Sequence, residues 1–326
     1  MLFRSETTGR ELWKYDGTTV SLIADINPSG DSDPGEFIEY NGALYFSADD
    51  GVHGCELWKY DGNTVSMVAD LNSGEADSWP EGFAILDFDL YFTAANKLWK
   101  YEGGGTPMVV EIVPSAKGDL TVYDRSLYFA DATSAMGATV SELWKYDGTT
   151  ASQVADINPG EYGSNPVILG VYKNKMYVSA FRSDIGQELW VYDGENVSLV
   201  EDIRVGSESA MPANGFVMNG ILYFSASIGG YNNNNELFSY DGTNVKIVQQ
   251  LCGPTLYNEP GSYPRGMTFY QGLVYFSAND CQTGEEMWQY DGLTKMKRVI
   301  DIGSNTEAYR YQSSTGGFLV YQDALY

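Results

Sequence analysis

Glu56-Leu57-Trp58-Lys59-Tyr60-Asp61-Gly62 is one of seven copies of a heptapeptide that recurs along the whole chain. The other copies begin at Glu11, Lys97, Glu142, Glu188, Glu236 and Glu286. Successive copies therefore start 41 to 50 residues apart in a chain of 326 residues. A period of about 40 to 50 residues with strand-forming content is typical of β-propeller blades. The repeat therefore predicts one all-β domain built from seven similar units.

The second unit shows how each unit divides into four strands. Asn41-Gly42 lies between apolar runs and predicts a hairpin, because both residues tolerate a positive φ. A second turn, at Asp61-Gly62, follows the heptapeptide strand. A four-residue turn matches more apolar partners there than a two-residue turn would. It pairs Tyr60 with Val65, Trp58 with Met67, and Leu57 with Val68.

The heptapeptide strand is apolar on both faces, since Leu57 points one way and Trp58 and Tyr60 point the other. A strand with one face in water would alternate between apolar and polar residues. Burial of both faces is expected of a blade that lies between two neighbouring blades. We therefore expect each heptapeptide Trp to be mostly buried between blades. Phe238 takes the Trp position in the sixth copy and keeps its bulk.

The two ends of the chain carry two parts of one unit. Val320–Tyr326 aligns with Glu39–Tyr45, and Leu2–Glu6 aligns with Tyr45–Asp49. We therefore predict that residues 1–326 form one seven-bladed β-propeller of four-stranded antiparallel blades, with one blade shared between the N- and C-termini. The predicted blades cover residues 318–326 plus 1–26, 37–71, 83–113, 120–158, 167–204, 215–252 and 267–303.

Charge and composition exclude several classes of function. The formal net charge is −25 and the isoelectric point is near 4.2, so the chain would repel the phosphates of nucleic acid. No apolar run approaches the roughly 18 residues that a membrane-spanning helix needs. His53 is the only histidine, which excludes a multi-histidine metal site.

The chain has three cysteines, and two of them are placed to form a disulfide. Cys252 follows the fourth strand of the sixth unit, and Cys281 lies in the second loop of the seventh. Both positions fall on the same face of the predicted ring, so we expect a disulfide with a Cα separation of about 4.4–6.8 Å. Cys55 is then the unpaired thiol.

The repeat resembles the ELWxxDGT repeat family. The motif is complete at Glu11–Thr18 and at Glu142–Thr149, and the resemblance covers essentially the whole chain. The resemblance implies a β-propeller that belongs to a secreted or cell-surface protein, with no catalytic activity attached to the motif. The third unit departs from the motif at Lys97, Glu102 and Gly104, and the sixth departs at Phe238.

Candidate binding residues lie in the loops of variable length, which all emerge on one face of the predicted ring. The candidates are Asp31, Asp33, Asp49, Asp50, Trp79, Tyr231 and Tyr257. Carboxylates ligate hard cations, so Asp49 and Asp50 are the candidate metal ligands and calcium is the candidate cofactor. Exposed aromatic rings can stack on sugars.

No nucleophile–base–acid arrangement can be assembled from motifs in the sequence. We therefore expect a protein that is not an enzyme: an extracellular or cell-surface interaction or structural module that presents acidic loops to a protein or glycan. Such a module could form part of a larger surface assembly. Two alternatives stay open: a polysaccharide-acting enzyme that uses loop carboxylates, and a lectin-like module that binds glycan or calcium.

Overall fold

The computed structural model describes residues 2–5, 8–15, 20–113, 115–131, 134–135, 138–139, 141–160, 162–229, 234–252, 261–282, 285–300, 320–321 and 324–325. Within these residues, all regular secondary structure is β-strand. The chain divides into two compact units, Met1–Asn165 and Pro166–Tyr326.

The first unit contains one three-stranded and three four-stranded antiparallel sheets, and one short hairpin. The three-stranded sheet is β1 (Leu2–Ser5), β2 (Gly9–Tyr15) and β3 (Val20–Ala24). The next two sheets are β4 (Gly35–Tyr40), β5 (Ala43–Asp49), β6 (Cys55–Tyr60) and β7 (Val65–Ala69), and then β8 (Glu81–Leu86), β9 (Asp89–Ala94), β10 (Lys97–Tyr101) and β11 (Met108–Val109). The fourth sheet comprises β12 (Lys117–Tyr123), β13 (Ser126–Ala130), β16 (Leu143–Tyr146) and β17 (Ala151–Ala155), with the hairpin β14 (Ser134–Ala135) and β15 (Ala138–Thr139) inserted between β13 and β16.

The second unit contains three four-stranded antiparallel sheets and a C-terminal hairpin. The first sheet is β18 (Val167–Tyr172), β19 (Lys175–Arg182), β20 (Gly186–Tyr192) and β21 (Val197–Glu201). The second is β22 (Ala213–Met218), β23 (Ile221–Ser227), β24 (Asn235–Tyr240) and β25 (Val245–Gln249). The third is β26 (Arg265–Tyr270), β27 (Leu273–Asn279), β28 (Glu285–Tyr290) and β29 (Lys297–Ile300), and the hairpin is β30 (Val320–Tyr321) and β31 (Ala324–Leu325).

The hairpin after the heptapeptide strand has the predicted four-residue turn and an additional β-bulge. Tyr60 lies opposite Val65 and Trp58 opposite Met67, as predicted. Leu57 pairs with Ala69, because the bulge inserts one extra residue into β7 at this point. The predicted pairing of Leu57 with Val68 is therefore wrong by one residue. The same irregularity occurs in six of the seven sheets that contain a heptapeptide strand.

The two faces of a heptapeptide strand contribute to different hydrophobic cores. Leu57 is fully buried with Leu90 and Phe92, which belong to the following sheet of the first unit. Trp58 packs on a separate cluster with Leu12 of the preceding sheet. The sheet of β4–β7 is therefore covered on both faces, as expected of a propeller blade.

Burial of the heptapeptide Trp side chains differs between the two units. In the second unit Trp190 and Trp288 are buried, as is Phe238 at the equivalent position. In the first unit the four equivalent side chains are half-buried; they are Trp13, Trp58, Trp99 and Trp144. The side chains that fill space between neighbouring sheets are Trp58, Trp99, Trp144, Phe238 and Trp288.

The strands at the two ends of the chain form separate hairpins. In β1 and β2, Leu2 lies opposite Leu12, as Ser47 lies opposite Leu57. Each of these pairs is ten residues apart, so Leu2 corresponds to Ser47. The predicted alignment of Leu2 with Tyr45 is therefore wrong by two residues. At the other end, Val320 pairs with Leu325. The joining of both ends into one blade stays a prediction.

Candidate functional site

The glutamate that opens the heptapeptide is a buried hydrogen-bond acceptor. Glu56 is fully buried. One of its oxygens, Oε2, accepts hydrogen bonds from the Leu71 backbone N–H and from the Ser78 hydroxyl, both at 2.7 Å. Leu71 and Ser78 belong to the loop that leads from β7 to the next sheet. The carboxylate therefore fixes this inter-sheet loop to the heptapeptide strand.

Equivalent hydrogen bonds recur in both units. The acceptor–hydroxyl pairs are Glu11 with Ser32, Glu142 with Ser164, and Glu236 with Ser262, each at 2.6 Å. In the fifth copy Ala210 takes the serine position, and its backbone N–H donates to Glu188 at 2.9 Å. A buried acceptor with this many donors is a structural element of the repeat. Sequence reasoning missed this role, although the recurring glutamate and the serine 21 to 26 residues later could have indicated it.

Burial changes the protonation of these carboxyl groups. It raises the pKa of Glu188 and of Glu236 to about 7 in each case. Burial also raises the pKa of Glu56 and Glu142 above the ordinary value. The physical cause is that removal from water disfavours the charged form more than the hydrogen bonds favour it.

The serine opens a tripeptide in which the middle residue has a left-handed backbone. The tripeptides are Ser32-Asp33-Pro34, Ser78-Trp79-Pro80, Ser164-Asn165-Pro166, Ala210-Met211-Pro212 and Ser262-Tyr263-Pro264. The middle residues have φ values of 44°, 51°, 45°, 51° and 44°. Each middle residue also donates its backbone N–H to the carbonyl just before its heptapeptide glutamate. We call these five residues the display positions, because one backbone geometry presents a different, exposed side chain at each.

The loop around Trp79 is fixed on both sides within the first unit. The Trp79 N–H donates to the Cys55 carbonyl at 3.2 Å, and the Ser78 carbonyl accepts from the Ala95 N–H at 2.7 Å. Cys55 begins β6 in one sheet, whereas Ala95 follows β9 in the next. The indole of Trp79 is nevertheless 64% exposed. A rigid backbone therefore presents an exposed aromatic ring.

The third repeat, which forms the sheet of β8–β11, lacks the glutamate and the long loop that other repeats have next to a display position. Its heptapeptide begins with Lys97, which is exposed, and no Ser-x-Pro tripeptide occurs before β12. Its connection from β9 to β10 consists of Ala95 and Asn96 alone. In the second repeat, which forms the sheet of β4–β7, the equivalent connection runs from residue 50 to residue 54. The short connection leaves space next to Trp79.

That space is a cavity of about 330 Å³. It is lined by Asn72, Asp77, Ser78, Trp79, Glu81, Thr93, Ala94, Ala95, Asn96, Ala116 and Lys117. Asp77 accepts from the Cys55 N–H through Oδ1, and Glu81 accepts from the Gly118 N–H through Oε1. These bonds fix the two carboxylates, and each carboxylate has a second oxygen with further acceptor capacity. We take this cavity as the candidate functional site.

Of the predicted binding residues, Trp79 lies in this cavity, and two of the acidic residues form an ion-pair group elsewhere. Asp31 accepts from the backbone N–H of Arg10 at 2.9 Å and pairs with its guanidinium at 3.1 Å. Asp33 pairs with the same guanidinium at 3.0 Å. Asp31 therefore fixes a loop, while Asp33 also occupies a display position.

Asp49 and Asp50, the predicted metal ligands, accept local hydrogen bonds. Asp49 accepts from the Gly51 N–H at 2.6 Å. Asp50 accepts from the Val52 N–H at 2.9 Å and contacts Nδ1 of His53 at 2.7 Å. Partial burial opposes ionisation of Asp50, but the hydrogen bonds from His53 outweigh it and lower its pKa; the same contact raises the pKa of His53. No cluster of three or more His, Cys, Asp or Glu side chains suited to a metal occurs among the described residues.

The remaining predicted residues divide into two groups. Tyr231 and Tyr257 lie outside the described residues. Cys252 and Cys281 form a disulfide with a Cα separation of 5.2 Å, within the range that we expected. Cys55 is the free cysteine and is buried, and burial raises the pKa of its thiol to about 12.

No protein-family model matches the sequence, and no curated protein matches it. Several solved structures share its fold. The β-propeller domain of the trilobed protease from Pyrococcus furiosus aligns with a TM-score of 0.52 and 10% identity, over 89% of this chain and 92% of that one. The extracellular domain of a B. thetaiotaomicron protein assigned to the one-component systems has a TM-score of 0.51 and 14% identity, over 90% of this chain and 36% of that one. A xyloglucanase from Xanthomonas campestris has a TM-score of 0.50 and 14% identity, over 79% of this chain and 43% of that one.

At these identities the similarities show the fold alone, and this chain is a β-propeller. The chain spans less than half the length of the B. thetaiotaomicron domain and of the xyloglucanase. Among the described residues, none forms a helix of the length and apolarity that crossing a membrane requires.

The comparisons correct the prediction that the protein is not an enzyme. That prediction relied on the repeat and on the lack of a catalytic motif. A propeller of this fold is a domain of a protease, and a xyloglucanase aligns with most of this chain. The propeller repeat is therefore compatible with an enzyme, and the prediction is wrong.

Proposed function

We propose that the protein is a recognition module of the cell exterior, which binds a protein or glycan partner through loops displayed by the propeller scaffold. The observation that carries this proposal is the set of display positions. Asp, Trp, Asn, Met and Tyr occur there on the same left-handed backbone. Variable side chains on a constant, hydrogen-bonded backbone are typical of a binding surface.

The cost of that backbone supports a binding role. A non-glycine residue in the left-handed region is destabilised by about 1–2 kcal/mol. Asn tolerates this region best, yet only Asn165 of the five display positions is Asn. Trp79, Met211 and Tyr263 place large apolar surface at positions where folding alone would favour Gly or Asn.

Two observations support the exterior location. The Cys252–Cys281 disulfide forms readily in an oxidising compartment and rarely in the cytosol. One similar structure is an extracellular domain. The repeat also supports membership in the ELWxxDGT repeat family, which we propose on the seven heptapeptides.

The test is an unbiased selection of ligands followed by mapping of their sites. The full chain is screened in parallel against a random peptide library and a glycan array, and each ligand obtained is mapped by hydrogen–deuterium exchange. We expect protection at the display tripeptides around Trp79, Met211 or Tyr263. Ligands that protect only the Asp-Gly turns, for example residues 61–64, would contradict the proposal.

A further inference from the structure

We infer that the cavity beside Trp79 is a saccharide subsite that takes a neutral pyranose ring. The inference rests on the proposed recognition function and adds the chemical class of the ligand. It starts from the shape of the cavity. About 330 Å³ lies in an open cleft between the loop of Trp79 and the two-residue connection Ala95-Asn96. That volume is at the small end of the range for ligand pockets.

Trp79 supplies the apolar wall of this subsite. The face of an indole ring carries partial negative charge, and the axial C–H groups of a pyranose carry partial positive charge. Stacking of the two needs an exposed ring. Trp79 is 64% exposed, and its backbone N–H is hydrogen-bonded to the Cys55 carbonyl, which fixes the position from which the ring extends.

The other walls supply both donors and acceptors. Asp77 and Glu81 accept hydrogen bonds, Lys117 donates, and the Asn96 amide does both. A sugar hydroxyl also donates and accepts, so vicinal hydroxyls match a wall of mixed polarity. The only strongly apolar contact is the indole, since the remaining apolar lining is alanine.

The same walls disfavour the other ligand classes. An apolar peptide anchor would displace water from Asp77, Glu81 and Lys117 without replacing the hydrogen bonds that the water makes. A quaternary ammonium or arginine would be attracted by Asp77 and Glu81 and repelled by Lys117, and the single aromatic ring does not form the cage of several rings that recognises such cations. An acidic sugar would meet two carboxylates. A neutral sugar has no such conflict.

The test is isothermal titration of the full chain with neutral gluco-, xylo-, manno- and galacto-oligosaccharides. Three proteins are compared: the unmodified chain, Trp79→Asn and Phe88→Asn. Asn is the residue that the fourth unit carries at the display position, so the variant keeps a compatible backbone. Phe88 is a matched control, since its ring is 91% exposed and its φ is 72°, in the turn at the other end of β8.

We expect at least one neutral oligosaccharide to bind, and Trp79→Asn to weaken its binding by about tenfold or more while Phe88→Asn leaves it unchanged. Melting curves of both variants establish that they fold. The inference is overturned if no neutral oligosaccharide binds, or if Trp79→Asn binds as tightly as the unmodified chain. Peptide ligands that map to Trp79 would also overturn it, but would leave the proposed recognition function in place.

Discussion

At the scale of single residues, the heptapeptide glutamate determines whether the inter-sheet loop is fixed. Its carboxylate accepts hydrogen bonds that water would otherwise make with Leu71 and Ser78. Ser78 is itself buried, so its hydroxyl has no solvent alternative. An unsatisfied donor in such a position is more costly than the hydrogen bond is stabilising.

We predict that Glu56→Ala lowers the free energy of unfolding by about 1–3 kcal/mol, because the Leu71 N–H loses its acceptor and the Ser78 hydroxyl keeps only the Cys55 carbonyl, at 3.1 Å. The control is Lys97→Ala at the same position of the third unit, where the side chain is exposed. That variant should change stability by less than about 0.5 kcal/mol. Urea unfolding at neutral pH measures both. Equal effects of the two variants would show that the glutamate does not fix the loop.

We predict that Glu188 makes stability depend on pH. Its pKa is raised from the ordinary 4.5 to about 7 in the folded protein, so the folded state holds a proton between these values that the unfolded state has lost. The free energy of unfolding should therefore fall as pH rises through this window.

Glu188→Gln removes the titrating group and should flatten this part of the profile. Relative to the unmodified chain, the variant should gain about 1–3 kcal/mol between pH 5 and pH 7.5. Urea midpoints at both pH values provide the measurement. Parallel profiles for the two proteins would contradict a raised pKa at Glu188.

At the scale of elements, most of each sheet follows from sequence pattern alone. The Asn41-Gly42 hairpin and the four-residue turn after Tyr60 were both predicted, because each depends on local turn chemistry. The bulge beside Leu57 was not predicted. Val68 and Ala69 are both apolar, so the sequence pattern fits a pairing of Leu57 with either residue. The display positions were missed as a set because their common feature is a φ angle and not a residue type.

The cavity beside Trp79 was not predicted from the sequence either. Trp79 was among the predicted binding residues, but the space next to it depends on what the third unit lacks. The departure at Lys97 was visible in the sequence, whereas the effect of a two-residue connection required the arrangement of two neighbouring sheets. Asp31, Asp49 and Asp50 were predicted as binding residues on the same grounds as Trp79. In the structure each of these carboxylates accepts a hydrogen bond from a backbone N–H of its own loop or of a neighbouring strand.

We predict that the Cys252–Cys281 disulfide stabilises the second unit. It connects residues 29 apart in sequence, in the loops that follow β25 and β27 of neighbouring sheets. Replacing both cysteines with Ala should lower the free energy of unfolding by about 2–4 kcal/mol through the lost constraint on the unfolded chain.

A thiol count tests the assignment independently. The native protein should show no rapidly reactive thiol, because Cys55 is buried. Denaturation should expose one thiol, and denaturation with reduction should expose all three. Two or more thiols in the denatured, unreduced protein would rule out the bond.

At the scale of the whole molecule, the features that build the scaffold differ from those that we propose for recognition. The heptapeptide, its buried glutamate and the bulged hairpin recur with little change, whereas the five display positions and the third unit vary. Stability should therefore depend on the constant features, and binding on the variable ones. Natural proteins often carry a stability cost at binding positions, which substitution can remove.

The most direct measurement converts every display position to the residue of the fourth unit. The variant carries Asp33→Asn, Trp79→Asn, Met211→Asn and Tyr263→Asn, and its melting temperature and its affinity for the selected ligands are compared with those of the unmodified chain. We predict an equal or higher melting temperature, because Asn tolerates the left-handed backbone best, together with loss of binding. A variant that binds as before, or that melts far below the unmodified chain, would contradict the separation of scaffold and recognition.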